Sequence, residues 1–347
     1  MAHDRDHLDL RCERLILAIE TSCDDTCAAL VTSEGRIAAN VISSQGVHDR
    51  FGGVVPEIAS RHHLELIGDV IDDALARAAV SLSEVDLLAV TQGPGLVAAL
   101  LVGLATAKAI AAAHELPLAP VDHLHGHVAA TFLEPDAMEP PFLALIASGG
   151  HTFLASVADR GPGYDVLGQT LDDAAGEAFD KGARLLGLGY PGGAALERLA
   201  RDGDPTAFAF PTGARLGGLD FSFAGLKTAL LYRVRELGEQ EAQRLRADLA
   251  ASYQHAIVEA LAVRCERALE QLGSGRLAIG GGVAANGPLR ERLAGLGVQL
   301  HVPPRELCTD NAAMIASAAR YVERLPFPDY LDLDVYATGE RALAVTG

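Results

Sequence analysis

Basic side chains are scarce in this chain: 28 lysines and arginines face 46 aspartates and glutamates, a net charge of −18 at pH 7. That balance excludes long-range attraction to bare phosphate, so a nucleic-acid substrate would need locally clustered cations or help from other proteins. Cysteine is scarce too. The five present (Cys12, Cys23, Cys27, Cys265 and Cys308) are odd in number and scattered, which excludes a disulfide framework in a chain of this size and fits a reducing cytosol. Cys23 and Cys27 lack a second pair or a neighbouring histidine and are read as packing residues rather than a zinc knuckle. The start "MAHDRDHLDLRCERL" has no apolar segment, which predicts a cytoplasmic protein without a secretory signal. One run, "GLVAALLVGLATAKAIAAA" (95–113), approaches the length that spans a bilayer. Its Lys108 and its wealth of alanine and glycine predict a buried helix on a sheet instead.

At 347 residues the chain suits two packed lobes better than one small core. The stretch "RLILAIETSCDDTCAALVTSEGRIAANVISS" (14–44) reads as strand, polar turn, strand, glycine turn, strand, and "PFLALIASGGHTFLASVADRGPGYDVLGQT" (141–170) repeats that order. A repeat on this scale predicts duplication of a whole α/β unit. Helices are expected at 57–78 and 95–113 after the first unit, with strand 85–92 between them, and at 170–188 and 239–272 after the second. Strand 276–284, helix 287–296 and a last helix from 309 follow. The expected division is a polar extension 1–14, a first lobe 15–131 completed by the helix 309–324, a second lobe 132–308, and a tail 325–347. A cleft between the lobes is the default binding site.

Three turns rich in small residues each follow an apolar strand: "ETSCDDT" (20–26), "ASGGHT" (147–152) and "GGGVAANG" (280–287). Glycine lets backbone approach a ligand, and successive N–H groups can cradle phosphate oxygens. The third turn also opens a helix, whose N-terminus favours an anion. None fits the Walker or dinucleotide pattern. Asp24 and Asp25 add paired carboxylates that could orient a nucleophile, hold a metal or act as a base, an Asx-turn being the plainer use of one of them.

The segment "VDHLHGHVAA" (121–130) holds three histidines in five positions. With Asp122 as N-cap it reads as a helix, on which His123 and His127 share a face and can converge on one ion while His125 points away. Such a pair with a carboxylate leaves coordination positions open, which suits Fe(II) or Zn(II) and a substrate oxygen. Asp310 is the carboxylate candidate. Its alternative role is a helix N-cap, with Thr309 competing, and spacing does not decide. A zinc peptidase is disfavoured because the residues between the two histidines include no glutamate base.

The blocks "ETSCDDT", "GGVVPEIASRHH", "TQGPGLVAALLVG", "HLHGH", "SGGHT", "DDAAGEAFDKGARLLGLGYPGG", "DFSFAGLKT", "GGGVAAN" and "CTDNAAMIA" resemble, in order from about Leu15 to about Val322, the signature of the universal tRNA N6-adenosine threonylcarbamoyltransferase family. The resemblance implies two duplicated ribonuclease-H-like lobes of the actin/Hsp70/sugar-kinase type with an interlobe cleft. It implies transfer of a threonylcarbamoyl group from threonylcarbamoyl-AMP to N6 of the adenosine beside the anticodon in tRNAs reading ANN codons, with release of AMP. It places metal ligands on His123, His127 and Asp310, and substrate contacts on Ile146, Ala147, Ser148, Gly149, Gly150, Asp180, Gly193 and Asn286. Asp24 and Asp25 take the catalytic role, and one divalent ion, Fe(II) or else Zn(II), is the cofactor. A dimerising paralogue and a small ATPase are the implied partners, with no membrane. Two positions depart from the pattern: Asp25 stands where many relatives carry glutamate, and Ala224 where serine is common.

Two alternatives stay open at this level: an ATP-cleaving kinase or ATPase of the same fold, and a nucleotide-binding scaffold subunit of a tRNA-modifying complex. Arg50, Arg61 and Arg215 are candidates for a basic patch near the cleft.

Overall fold

The computed structural model describes residues 13–51, 53–161, 163–189, 191–213 and 217–337, the side chains of 49–51 apart. The first half runs β1 (Leu15–Glu20), β2 (Asp25–Thr32), β3 (Ile37–Ser44), α1 (Pro56–Ala78), β4 (Leu87–Gly93), α2 (Val97–Ala113), β5 (Leu118–Asp122) and α3 (His123–Ala129). The second half runs β6 (Phe142–Ala147), β7 (Thr152–Val157), β8 (Asp165–Gln169), α4 (Ala175–Leu185), α5 (Gly192–Ala200), α6 (Ala224–Arg244), α7 (Arg246–Leu272), β9 (Arg276–Gly280), α8 (Gly287–Ala294), β10 (Gln299–His301), α9 (Arg305–Cys308) and α10 (Ala312–Ala319).

The duplication expected from the sequence is present in the topology. One sheet has the order β3-β2-β1-β4-β5 and the other, read in the matching direction, β8-β7-β6-β9-β10. In each the first three strands are antiparallel and the last two join in parallel. Central strand β1 is buried along its whole length, because it is covered on both faces, and it therefore reads as a continuous apolar run rather than an alternating one.

Three apolar layers separate the elements. α1 and α2 cover the outer face of the first sheet through Ile67, Ile71, Leu104 and Ala107. α4 to α8 cover the outer face of the second through Phe179, Leu196, Leu226, Leu261 and Leu289. Between the sheets, Ile16 and Ala18 of β1 and Ala144 and Ile146 of β6 share a core with Val128 of α3 and Ile315 of α10. The two short helices are thus the filling between the sheets. The 95–113 run is a helix packed on β4, as expected, and no helix of the described residues is long and apolar enough to cross a membrane.

Several boundaries differ from expectation. The helix expected over 239–272 is two, α6 and α7, meeting at Leu245, and α6 starts already at Ala224 and breaks at Gly238, where φ is 73°. The last helix is only Ala312–Ala319, and neither Asp310 nor Thr309 caps it: Asn311 does, its Oδ1 accepting from the N–H of Met314 at 3.0 Å. Asp310 is left free to point elsewhere.

Candidate active site and metal centre

α3 begins directly after β5, and Asp122 fixes the junction, its Oδ1 accepting from the N–H groups of Leu124 (2.8 Å) and His125 (3.0 Å). His123 and His127 then stand one turn apart with ring centroids 4.7 Å from each other. The glycine between His125 and His127 has a packing cause: a Cβ at Gly126 would lie 2.8 Å from Ile315 Cδ1, so a larger residue would require the Ile315 side chain to shift, whereas glycine lets α3 lie against α10 as it stands. That approach brings Asp310 to the histidines. Its Oδ1 lies 3.6 Å from His123 Nε2 and 3.3 Å from His127 Nε2, and one ligand atom from each residue falls within 4.8 Å of the others.

The donor set fits a cation. Among the described residues His127, 1% exposed, makes no well-formed hydrogen bond, its Nε2 having only the 3.3 Å approach to Asp310, an arrangement that is costly unless an ion lies between them. His123 is oriented from behind by Glu20, a carboxylate at the end of β1 that is fully buried. Glu20 Oε2 accepts from His123 Nδ1 at 2.9 Å and from Thr91 Oγ1 at 2.6 Å, while Oε1 accepts from the Ser22 N–H. A carboxylate only accepts, so the Nδ1 of His123 carries a proton, and its Nε2, on the Asp310 side, is the atom an ion would take. Before an ion binds, the surrounding charges favour a second proton on this ring. Burial alone would raise the Asp310 and Glu20 carboxyls, but His123, joined at Asp310 by His127 and His151 and at Glu20 by the Thr91 hydrogen bond, brings both below the usual range. Burial lowers His123, yet Asp310 and Glu20 carry it up to about 9.

A cavity of about 560 Å³ opens in front of this cluster. Its wall takes Ser22, Cys23, Asp24 and Asp25 from the β1–β2 turn, Ser148, Gly149, Gly150 and His151 from the β6–β7 turn, Gly282 after β9, Asp180 and Lys181 from α4, and His123 and Asp310. All three small-residue turns therefore converge, the first two at equivalent places in the duplicated lobes. A Cβ at Gly149 or Gly150 would meet no protein atom within 4 Å, so both positions are bare towards the cavity. Burial pushes the Asp25 carboxyl up to about 7, Ser44 opposing and Asp310, Asp24 and Glu20 adding to the rise. His151 is pulled down to about 4 by burial and by His123 and His127. Cys23 lines the cavity rather than packing inside as expected; burial and Asp24 push its thiol far up, so it stays protonated. Cys27 is buried, its Sγ 3.7 Å from the Asp310 carbonyl oxygen.

Not every expected residue lines the cavity. Ile146 and Ala147 are 1% exposed strand residues, facing the inter-sheet and outer cores respectively. Asp180 reaches the cavity, and its Oδ1 also accepts from the Gly192 N–H at 2.8 Å. Gly193 sits beside that contact at the start of α5. Asn286 is committed to the fold: Oδ1 caps α8 through Leu289 N–H, and Nδ2 donates to Gln254 Oε1 at 3.0 Å. Arg61 is exposed and paired with Glu57 at 2.8 Å. Arg215 and the side chain of Arg50 lie outside the described residues. The cavity's own cations are Lys181 and Arg184 on α4, and Lys181 lies 2.7 Å from Asp173 and 2.8 Å from Glu177.

The sequence of this chain matches the family described as TsaD, tRNA N6-adenosine threonylcarbamoyltransferase, over residues 36–317. It is 51% identical over 327 residues to the tRNA N6-adenosine threonylcarbamoyltransferase of Symbiobacterium thermophilum, covering 93% of this chain and 95% of the relative. It is 54% identical over 313 residues to the protein of that name from Anaeromyxobacter sp. strain Fw109-5, covering 88% and 93%. In fold it is similar to T. kodakarensis HypF, with a TM-score of 0.59 at 15% identity over 88% of this chain and 47% of that one. The architecture is the duplicated two-lobe, actin-like one, and the kinase and scaffold alternatives are not favoured. On this likeness the chain belongs to the tRNA N6-adenosine threonylcarbamoyltransferase family, acyltransferases that modify adenosine in tRNA.

Proposed function

We propose that the chain transfers the threonylcarbamoyl group of threonylcarbamoyl-AMP to N6 of the adenosine next to the anticodon in tRNAs reading ANN codons, releasing AMP. The observation that carries this reading is the convergence of the two duplicated turns and the His123–His127–Asp310 cluster on one cavity of about 560 Å³, within the usual range for a site that takes a nucleotide-sized ligand.

The donor is a mixed anhydride. The adenosine amine attacks the carbamoyl carbon, the bond from that carbon to the phosphate oxygen breaks, AMP departs with the electron pair, and the amine loses a proton. Asp25 on the cavity wall is the group we assign to take that proton, with Asp24 beside it. The bare glycines of the second turn, Gly149 and Gly150, offer backbone N–H groups to the negative charge that builds on the carbonyl oxygen and phosphate, while the Ser148 N–H closes the turn on the His151 carbonyl at 2.8 Å. Ile146 and Ala147 anchor that turn, Asp180 accepts from ribose hydroxyls, Gly193 leaves room for the nucleoside, and Asn286 holds the α8 end of the Gly282 turn. His123, His127 and Asp310 would hold one divalent ion, Fe(II) by preference and Zn(II) as the alternative. When bound it supplies Lewis-acid polarisation and a template for the phosphate or the threonyl carboxylate.

A net charge of −18 fits a protein that grips tRNA together with a dimerising paralogue and a small ATPase in the cytoplasm. In this reading the chain divides into a first lobe of residues 15–131 completed by 309–324 and a second lobe of 132–308. The test supplies the metal-loaded protein and its partners with tRNA and either threonylcarbamoyl-AMP or ATP. Modified adenosine is expected with the adenylate; ATP cleavage with no transfer from the adenylate would overturn the reading.

A further inference from the structure

We infer that the segment 325–337 is a positioning strap for the metal-binding helix, acting through a hydrogen bond from Tyr336 to Asp122. The inference rests on the metal reading above. The strap is stitched to the first lobe throughout. Leu325 and Leu118 exchange main-chain hydrogen bonds of 2.8 and 3.0 Å, and Tyr330 is fully buried in the α1–α2 core. Lys108 Nζ donates to the carbonyl oxygens of Leu331 (2.8 Å) and Leu333 (2.6 Å), and Gln92 Nε2 donates to that of Asp334 at 2.7 Å. The Tyr336 N–H then donates to the Gln92 carbonyl at 3.3 Å. A Cβ at Gly93 would lie 2.4 Å from the Tyr336 carbonyl oxygen and 2.8 Å from its ring, so a glycine at the end of β4 is what lets the strap lie down.

Its end reaches the metal helix. The Tyr336 hydroxyl donates to Asp122 Oδ2 at 2.6 Å, while Oδ1 of the same carboxylate caps α3. His123 is the next residue. A helix as short as α3, seven residues, has little intrinsic stability, so its direction is set by its cap and its packing. With Tyr336 holding one oxygen, the carboxylate plane is locked with the other aimed at the first-turn N–H groups. Tyr336 is thus a positioning residue, two steps behind the ion.

Titration of the full-length protein with Co(II), followed by the visible absorption of the bound ion, tests this. Tyr336→Phe keeps the ring and removes only the hydroxyl; its Co(II) dissociation constant is expected to rise about fivefold, below the range typical of partners that touch a ligand directly. Asp122→Ser keeps a capping oxygen and removes the one Tyr336 holds, so adding Tyr336→Phe to it should change nothing further. Unchanged affinity in Tyr336→Phe, or an equal loss in the Asp122→Ser background, would overturn the strap while His127→Ala still abolishes binding. Failure of the unaltered protein to bind Co(II) would sink the metal reading and this inference with it.

Discussion

Glu20 shows how much of the proposed metal centre lies outside its ligands. Its two oxygens accept from His123, Thr91 and Ser22, so a Glu20→Gln side chain would have to turn an NH2 group towards another donor. The expected outcome is a 10- to 100-fold loss of affinity, roughly, for a divalent ion in a chelator competition, with the fold retained. At this scale the sequence was partly legible. His123 and His127 carry a helical spacing that is visible in one dimension, whereas Glu20 reads only as the last residue of an apolar strand, "LILAIE". A carboxylate placed where a central strand should be buried was the available signal, since such groups are rarely buried unless paired. Asn286 carried the opposite lesson, because its amide is spent on an N-cap and on Gln254.

At the level of elements, the position of Asp310 depends on how α10 starts. Asn311 is fully buried, caps the helix and donates from Nδ2 to the Thr309 carbonyl at 2.8 Å. Asn311→Ala should cost about 1–2 kcal/mol, read as a lower urea midpoint, and should weaken the divalent ion as Asp310 loses its anchor. From the sequence, Asp310 and Thr309 compete as caps and Asn311, the third capping-type residue in a row, is passed over. Tertiary packing selects Asn311, because the Met314 N–H needs an acceptor where water cannot reach. The "RHH" block on α1 has a comparable role. His63 accepts from Thr26 Oγ1 at 2.8 Å and donates to the Cys23 carbonyl at 3.0 Å, steadying the acidic turn. Burial lowers its pKa, against the opposing Cys23 hydrogen bond, so the folded state holds it neutral. As pH falls through about 6.5, the unfolded chain takes up a proton that the folded chain refuses, and stability falls. His63→Gln should show a smaller drop in urea midpoint than the unaltered protein between about pH 7.5 and about pH 5.5; an equal drop would remove His63 from this role.

Over the whole molecule, the duplicated strand–turn–strand units were the most legible feature, since apolar strands punctuated by glycine turns survive in any one-dimensional reading. What was not legible is the sandwiching of α3 and α10 between the two sheets. That arrangement comes from small residues, with Gly126 against Ile315 and the alanines of α10 fully buried, and close approach leaves no periodic signature. It is also what joins residues 123–127 to 310 across most of the chain. The ion proposed there would add charge stabilisation to that of Lys181 and Arg184 on the cavity wall, so the rate of threonylcarbamoyl transfer to tRNA by Asp310→Ala is the most direct measurement. Under saturating adenylate, with metal and partner proteins present, the rate should fall by about 100-fold or more while the thermal transition of the protein persists. A folded Asp310→Ala protein that transfers at the unaltered rate would contradict a catalytic ion held by His123, His127 and Asp310.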